Sequence, residues 1–492
     1  MTYDGSRLAS GVRLYLNGRL LKTKVNLDYM NQPFDVKQPL RIGAGFGPAN
    51  RFQGKIGQVR VYRAALTSED VEVLAVPESI SAIVQIPAAQ RSAIQARKLR
   101  RAFVDQYAPD ALRAAHKQVL DLGRQRARLI DTFPSAMVMQ DMATPRETNI
   151  LLRGAYDRPG EKVEPGVPAI LPPLAKDAPA NRLGLARWIA NPANPLTARV
   201  AVNRFWQNAF GVGLVKTVED FGSQGEWPAS LDLLDWLATE FVRTGWDMKA
   251  IQKTIVMSAT YRQASKTTPE MQQRDPENRL LARGPRVRLS AEMVRDQALA
   301  ISGLLVNKIG GPSVKPYQPA GLWKELSGGE DYKPDTGEGL HRRSLYTYWK
   351  RTAPPPMMMN FDAAGREACV VRELRTNTPL QSLNLMNDVT YLEAARKMAE
   401  RMMREGGTIP AQRIAYGFEL ATARVPDRRE SEILQSSLSY YRDAFQSNPA
   451  AASKYLAQGE ALRDRSLDER ELAAYATVAS MFLNLDAAVT KE

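Results

Sequence analysis

Ser230-Leu-Asp-Leu-Leu-Asp-Trp-Leu-Ala-Thr-Glu-Phe-Val-Arg-Thr-Gly-Trp-Asp247 repeats its apolar residues at helical spacing. Leu233, Leu234, Leu237 and Phe241 fall three and four apart, on one face of an α-helix. Ser230 stands where an N-cap belongs and Gly245 follows the last turn, so both ends are marked. Asp247 opens a second run over 248–262 with Ile251, Ile255 and Tyr261 on its apolar side. Together they predict a helical hairpin whose stripe is core, not a cofactor pocket. The same punctuation recurs along the chain. A helix over 182–190 closes at Asn191-Pro192; Thr197 caps one running to Phe210, with Gly211 behind it; Ser290 caps 291–305; Thr378-Pro379 opens 380–386 with proline in the first turn. Beyond Asn181 the chain reads as mainly helical.

The beginning reads differently. Val12-Arg-Leu-Tyr-Leu16 alternates polar and apolar residues, Asn17-Gly18 suits a type I′ turn, and 19–25 is expected to run back as the partner strand. Residues 54–62 read as another strand, followed by a short helix over 68–74. From 81 to about 131 the pattern is helical, with Ile83, Leu99, Phe103, Leu112, Leu120 and Leu122 among many arginines and alanines, as in a helical arm. His116 is expected at its surface. Residues 144–174 are rich in Pro and Gly yet carry Ile150-Leu-Leu152 and Ile170-Leu171, which predicts an ordered strap packed on a surface.

Composition narrows the chemistry. Of 492 residues, 67 are Lys or Arg and 53 Asp or Glu, a formal charge of +14 that favours polyanionic partners. No RNA-binding, zinc-finger or basic-zipper pattern accompanies that charge, so nucleic acid is not the expected partner. Cys369 is the single cysteine and His116 and His341 the only histidines, which excludes intrachain disulfides, thiolate zinc clusters, thioether-bound haem and polyhistidine metal sites. Calcium bound by oxygen ligands remains open. No apolar run is long enough to span a bilayer, and the first residues lack the features of an export signal.

Two resemblances attach to particular residues. Thr2-Tyr-Asp-Gly-Ser6, Leu14-Tyr-Leu-Asn-Gly18, Ile42-Gly43 and Gly57-Gln-Val-Arg-Val-Tyr-Arg-Ala-Ala-Leu-Thr67 resemble the second half of a laminin-G or concanavalin-A-like lectin domain. That resemblance implies carbohydrate or protein binding, with Asp4 and Asp28 as calcium ligands only in an intact lectin-like domain. Met1 falls where the middle of such a domain belongs, so a fragment or a misplaced start is expected; a genuine start would make the chain cytoplasmic. Further on, Thr144-Pro-Arg-Glu-Thr148, Asn181-Arg-Leu-Gly-Leu-Ala-Arg-Trp188, Arg288-Leu-Ser-Ala-Glu292, Arg342-Arg-Ser-Leu-Tyr346, Arg375-Thr-Asn-Thr-Pro-Leu-Gln381 and Asn484-Leu-Asp486 are similar to the planctomycete-type domain of unknown function 1553. This second resemblance implies an extracytoplasmic or cell-envelope setting and association with haem-bearing proteins, but no catalytic residue. The fold class expected is multidomain α+β: a partial antiparallel β-sandwich over 1–76, a helical connector over 77–134, and a large mainly α-helical domain over 135–492.

The polar residues supply candidates for a site. Arg199, Asn203 and Gln207 recur every four residues on one helix beside Arg204. Later come Arg295-Asp296-Gln297, His341-Arg342-Arg343, Asp362, Arg366, and Arg375-Thr376-Asn377 with Gln381. Converging guanidinium forks and amides would suit a carboxylate, a sulfate or sugar hydroxyls, so Arg199, Asn203, Arg204, Arg343, Arg366, Arg375, Asn377 and Gln381 are the ligand-binding candidates. His341, Asp362 and Asp296 are the acid–base candidates. The structural alternative is that these groups satisfy one another inside a large domain. Two functional readings follow: a binding or scaffold module for carbohydrate or partner proteins, or an enzyme acting on polysaccharide or another anionic polymer.

Overall fold

The computed structural model describes every residue except 7, 27–41, 44–50, 134–137, 140, 143–145, 328–330, 373 and 492. The chain divides into two compact units, Met1–Arg146 and Glu147–Glu492.

In the first unit, β1 (Thr2–Tyr3) pairs antiparallel with β2 (Val12–Arg13), and β3 (Tyr15–Leu16) pairs with β4 (Arg19–Leu20). Asn17 and Gly18 turn the second pair with φ of +48° and +82°, as a type I′ turn requires. The expected strand over 54–62 joins no ladder with any described segment, because a strand needs a neighbour to take its backbone hydrogen bonds. Asp28 lies outside the described residues. Helix α1 (Ser68–Leu74) starts on a capping box formed by Thr67 and Asp70, and Tyr15 Oη lies 3.1 Å from Ser68 Oγ. Then come α2 (Ile80–Gln85), α3 (Ala93–Gln106) and α4 (Asp110–Asp131). The Arg91 guanidinium closes the end of α2 by donating to the carbonyls of Ile83 and Ile86. His116 is partly exposed on α4, 3.5 Å from Asp105.

The second unit opens with a ribbon of β5 (Asn149–Leu151) and β6 (Pro159–Lys162). The strap expected to pack through its aliphatic residues instead presents them outward: Ile150, Leu151 and Leu152 are exposed and Ile170 is 93% exposed. The ribbon satisfies its backbone, so the side chains need no partner to keep it ordered. Helices α5 (Arg182–Ile189), α6 (Thr197–Phe210), α7 (Leu231–Arg243) and α8 (Met248–Met257) follow. Thr197 is the first residue of α6 rather than its cap; its hydroxyl donates to Ile189 O, and Asn194 Oδ1 accepts the exposed amide of Leu196. Val202, Trp206 and Phe210 of α6 pack against Leu234, Leu237 and Phe241 of α7 and Ile251 and Ile255 of α8, forming the first core.

After α9 (Pro269–Arg274) and β7 (Val287–Arg288) comes a second, larger core. It is built from α10 (Ala291–Ser302) and, after the short helices α11 (Leu322–Ser327) and α12 (Glu338–His341), from α13 (Pro356–Asn360), α14 (Pro379–Asn387), α15 (Val389–Glu405), α16 (Pro410–Thr422), α17 (Arg428–Ser447), α18 (Pro449–Leu456), α19 (Glu469–Leu483) and α20 (Asp486–Val489). At its centre Ala394, Ala395, Met398 and Ala399 of α15 face Ala473, Ala474, Ala476 and Ala479 of α19, all fully buried. Small side chains on both helices permit a close approach of the two backbones. The last strand, β8 (Thr490–Lys491), returns to pair with β7, Arg288 opposite Thr490.

Candidate functional site

The run Arg283-Gly-Pro-Arg-Val-Arg288 leads into β7 and puts three arginines on one side of a groove of about 500 Å³. Arg288 is fixed from below. Its guanidinium donates to the Asp362 carboxylate, and its carbon lies 5.6 Å from the Phe361 ring centre. Asp362, in the left-handed region at φ +63°, also accepts the Thr376 amide at 2.8 Å and the Thr376 hydroxyl at 2.9 Å. Gln381 completes the clamp by donating to Asn360 O at 2.8 Å and to the Thr376 hydroxyl at 3.3 Å. With Thr376 held this way, its neighbours Arg375 and Asn377 line the groove together with Arg283, Arg286 and Arg288.

Two carboxylates share that lining, and each has a cation of its own. Glu277 accepts from Lys216 at 2.9 Å, and Asp486 pairs with Arg286. Arg283 is buried and held in place by donating to the carbonyls of Asp275 and Pro276. The result is a walled trough in which four arginines outnumber two carboxylates, with Ser265, Thr267 and Asn377 supplying further polar groups. Such a surface favours an extended ligand bearing negative charge and hydroxyls.

The other candidates lie elsewhere. Asn203 is fully buried and closes a two-way bond with Val215, donating to its carbonyl at 3.0 Å and accepting its amide at 2.9 Å. Arg199, four residues earlier on α6, pairs with Asp235 of α7 at 2.6 Å. The mutual hydrogen bonding raises the affinity of that guanidinium for its proton and lowers that of Asp235. Arg204 and Arg343 are exposed, and Arg366 lies over the Trp349 ring at 4.4 Å. None of these five lines the groove.

The acid–base candidates are separated as well. His341 meets Glu393 at 2.8 Å rather than Asp362, with both side chains buried. Burial pushes the Glu393 carboxyl up, but bonds from His341 and the Ala461 amide, with the charges of His341 and Arg396, outweigh it and leave it below its usual value. Asp296 accepts the Ser344 amide at 2.7 Å. Each acid is therefore engaged in holding a neighbouring segment.

Of the residues singled out in the sequence, Arg375 and Asn377 lie at the groove and Asp362 and Gln381 in the clamp behind Thr376, whereas Arg283, Arg286 and Glu393 were not among the candidates. The density of arginine over 283–288 was the available signal. Among the described residues no three or more His, Cys, Asp or Glu side chains are grouped to hold a metal ion. No helix among them is long and apolar enough to cross a membrane.

Comparison with known proteins agrees with both resemblances. Residues 1–72 match the Concanavalin A-like lectin/glucanases superfamily. No curated protein and no solved structure matches the chain. Residues 181–438, more than half of the chain and the part that carries the first core and much of the second, match the family described as Protein of unknown function (DUF1553), and the chain belongs to that family.

Proposed function

We propose that this protein is an extracytoplasmic binding module whose basic groove holds an acidic polysaccharide, the lectin-like residues 1–72 adding a second carbohydrate-directed element. The observation that carries this reading is convergence. Stretches beginning at Arg288, Arg375 and Asn484, far apart in sequence, meet at the groove through the Arg288–Asp362–Thr376 clamp and the Arg286–Asp486 pair. A carboxylate or sulfate on the ligand would meet the exposed guanidinium of Arg375 in the field of Arg286, while hydroxyls meet Asn377, Ser265 and Thr267. Catalysis is the less supported reading, because His341, Asp296 and Asp362 are turned to other partners and both carboxylates in the groove carry their own cations.

Calorimetric titration with oligogalacturonate, and with the same oligomer reduced to its neutral form, tests the proposal. Binding of the acidic oligomer that weakens on the order of tenfold between low and moderate salt is expected, since exposed charge attraction is screened. Equal affinity for both oligomers, or none for either, would overturn it.

A further inference from the structure

A second cavity, of about 40 Å³, lies between the segment at Pro316–Pro319, the start of α13 at Pro355–Met358 and the junction of α14 with α15. Four polar atoms belonging to its lining residues are buried without a hydrogen-bond partner: Arg295 Nε, Gln318 Oε1, Thr347 Oγ1 and Asn384 Nδ2. A buried polar group left without a partner keeps the full penalty of losing its water. Four around a single cavity are better explained by a shared occupant than by four separate defects.

The charges around the cavity narrow what that occupant is. Arg295 is 1% exposed, and its two terminal nitrogens donate to neutral acceptors, the carbonyls of Leu340 and Arg342 and the Ser344 hydroxyl. Asp388 lines the same cavity and Asp296 stands 3.9 Å from Arg295. One cation against two carboxylates leaves no excess positive charge for an anion. A cation would face Arg295 and the Asn384 amide donors. The occupant must therefore be neutral, able both to donate, to Gln318 and Asp388, and to accept, from Arg295 and Asn384. At about 10–15 Å³ of such volume per molecule, the space suits roughly three waters.

We infer that this cavity is a built hydration site, a small cluster of ordered waters bridging Arg295 to Asp388 and satisfying Gln318, Thr347 and Asn384. The waters fasten the two proline-containing segments to α10 and α14, where direct side-chain contact is absent from those four atoms. The lining thus acts as a polar joint beside the second core.

A crystal structure of the full chain that resolves ordered solvent tests this. Density within hydrogen-bond distance of Arg295 Nε, Thr347 Oγ1 and Asn384 Nδ2 is expected; a dry cavity, or Asn384 turned directly onto Gln318, would overturn it. Asn384→Leu gives an independent reading of opposite sign under the two cases. If waters occupy the cavity, removing the donor strands them and lowers the thermal midpoint by several degrees. If the cavity is dry, the added methyl groups fill a void and the midpoint rises. Thr347→Val, nearly isosteric, should lower the midpoint by a smaller amount in the hydrated case and raise it in the dry one, where it removes a buried hydroxyl that has no partner.

Discussion

Among the described residues, Met1–Arg146 and Glu147–Glu492 differ most in what their apolar side chains do. In the first unit Ile83 and Ala108 are the buried hydrophobic residues, while Leu16, Val61, Leu122 and Phe133 are more than half exposed. In the second, α15 and α19 bury a continuous seam and α6, α7 and α8 enclose another. Both units have well-capped helices, so local signals alone do not separate them. The difference is whether each apolar stripe meets another, and burial of that kind supplies most of the stability of a fold.

The largest expected effect follows from that contrast. Phe418 is 1% exposed and packs edge-on against Phe482 at 5.8 Å, so Phe418→Ala should cost about 3–5 kcal/mol in denaturant unfolding. Leu16→Ala, at a side chain 61% exposed, should change stability by less than about 0.5 kcal/mol. Equal losses would break the comparison.

A charged version of the same contrast comes next. Glu393 is fully buried beneath His341, Arg396 and the Ala461 amide. Glu393→Gln would replace the charged acceptor of His341 and the Ala461 amide by a neutral one, leaving Glu400 as the carboxylate beside Arg396, and should cost about 1.5–3 kcal/mol, the value of a hydrogen bond to a charged group. Because the carboxyl sits below its usual value when folded, its stabilising effect is complete above its unfolded pKa and is lost as pH falls through the folded one. The variant should therefore show a shallower loss of stability on acidification, measured as thermal midpoint against pH.

Arg375→Ala separates binding from folding within the second unit. Arg375 is exposed at the groove, so stability should hold within about 0.5 kcal/mol while affinity for oligogalacturonate falls roughly ten- to hundredfold, the value of one charge-assisted hydrogen bond. The smallest effect is expected at Glu430, whose carboxyl the Arg424 guanidinium holds down at about 2. Its contribution is present above about 4.5 and fades as pH drops toward 2, and Arg424→Ala should remove less than about 1 kcal/mol because the pair is solvent-accessible.

Helix positions were largely legible in the sequence because their signals are local. The Ser290 hydroxyl oxygen accepts the Met293 amide as an N-cap, Thr378 and Gln381 form a capping box at the start of α14, and Gly211 ends α6 at φ +82°. The apolar stripe read from Leu234, Leu237, Phe241, Ile251 and Ile255 is the core found. The groove was not legible, because it depends on pairings between distant residues. Arg288 reaches Asp362 across 74 positions and Arg286 reaches Asp486 across 200, and the β7–β8 ladder that aligns them has no local signature. The expected stripe of Arg199 and Asn203 failed as a binding surface for the same reason. Spacing told which residues share a helix face, but not that Val215 and Asp235 would take up their hydrogen bonds.

The most direct test of the central claim is a crystal structure of the chain with oligogalacturonate bound. A uronate carboxylate on the Arg375 guanidinium, beside Arg286, with sugar hydroxyls against Asn377, is the expected result. An oligomer bound away from the 283–288 wall, with the groove left to solvent, would contradict it.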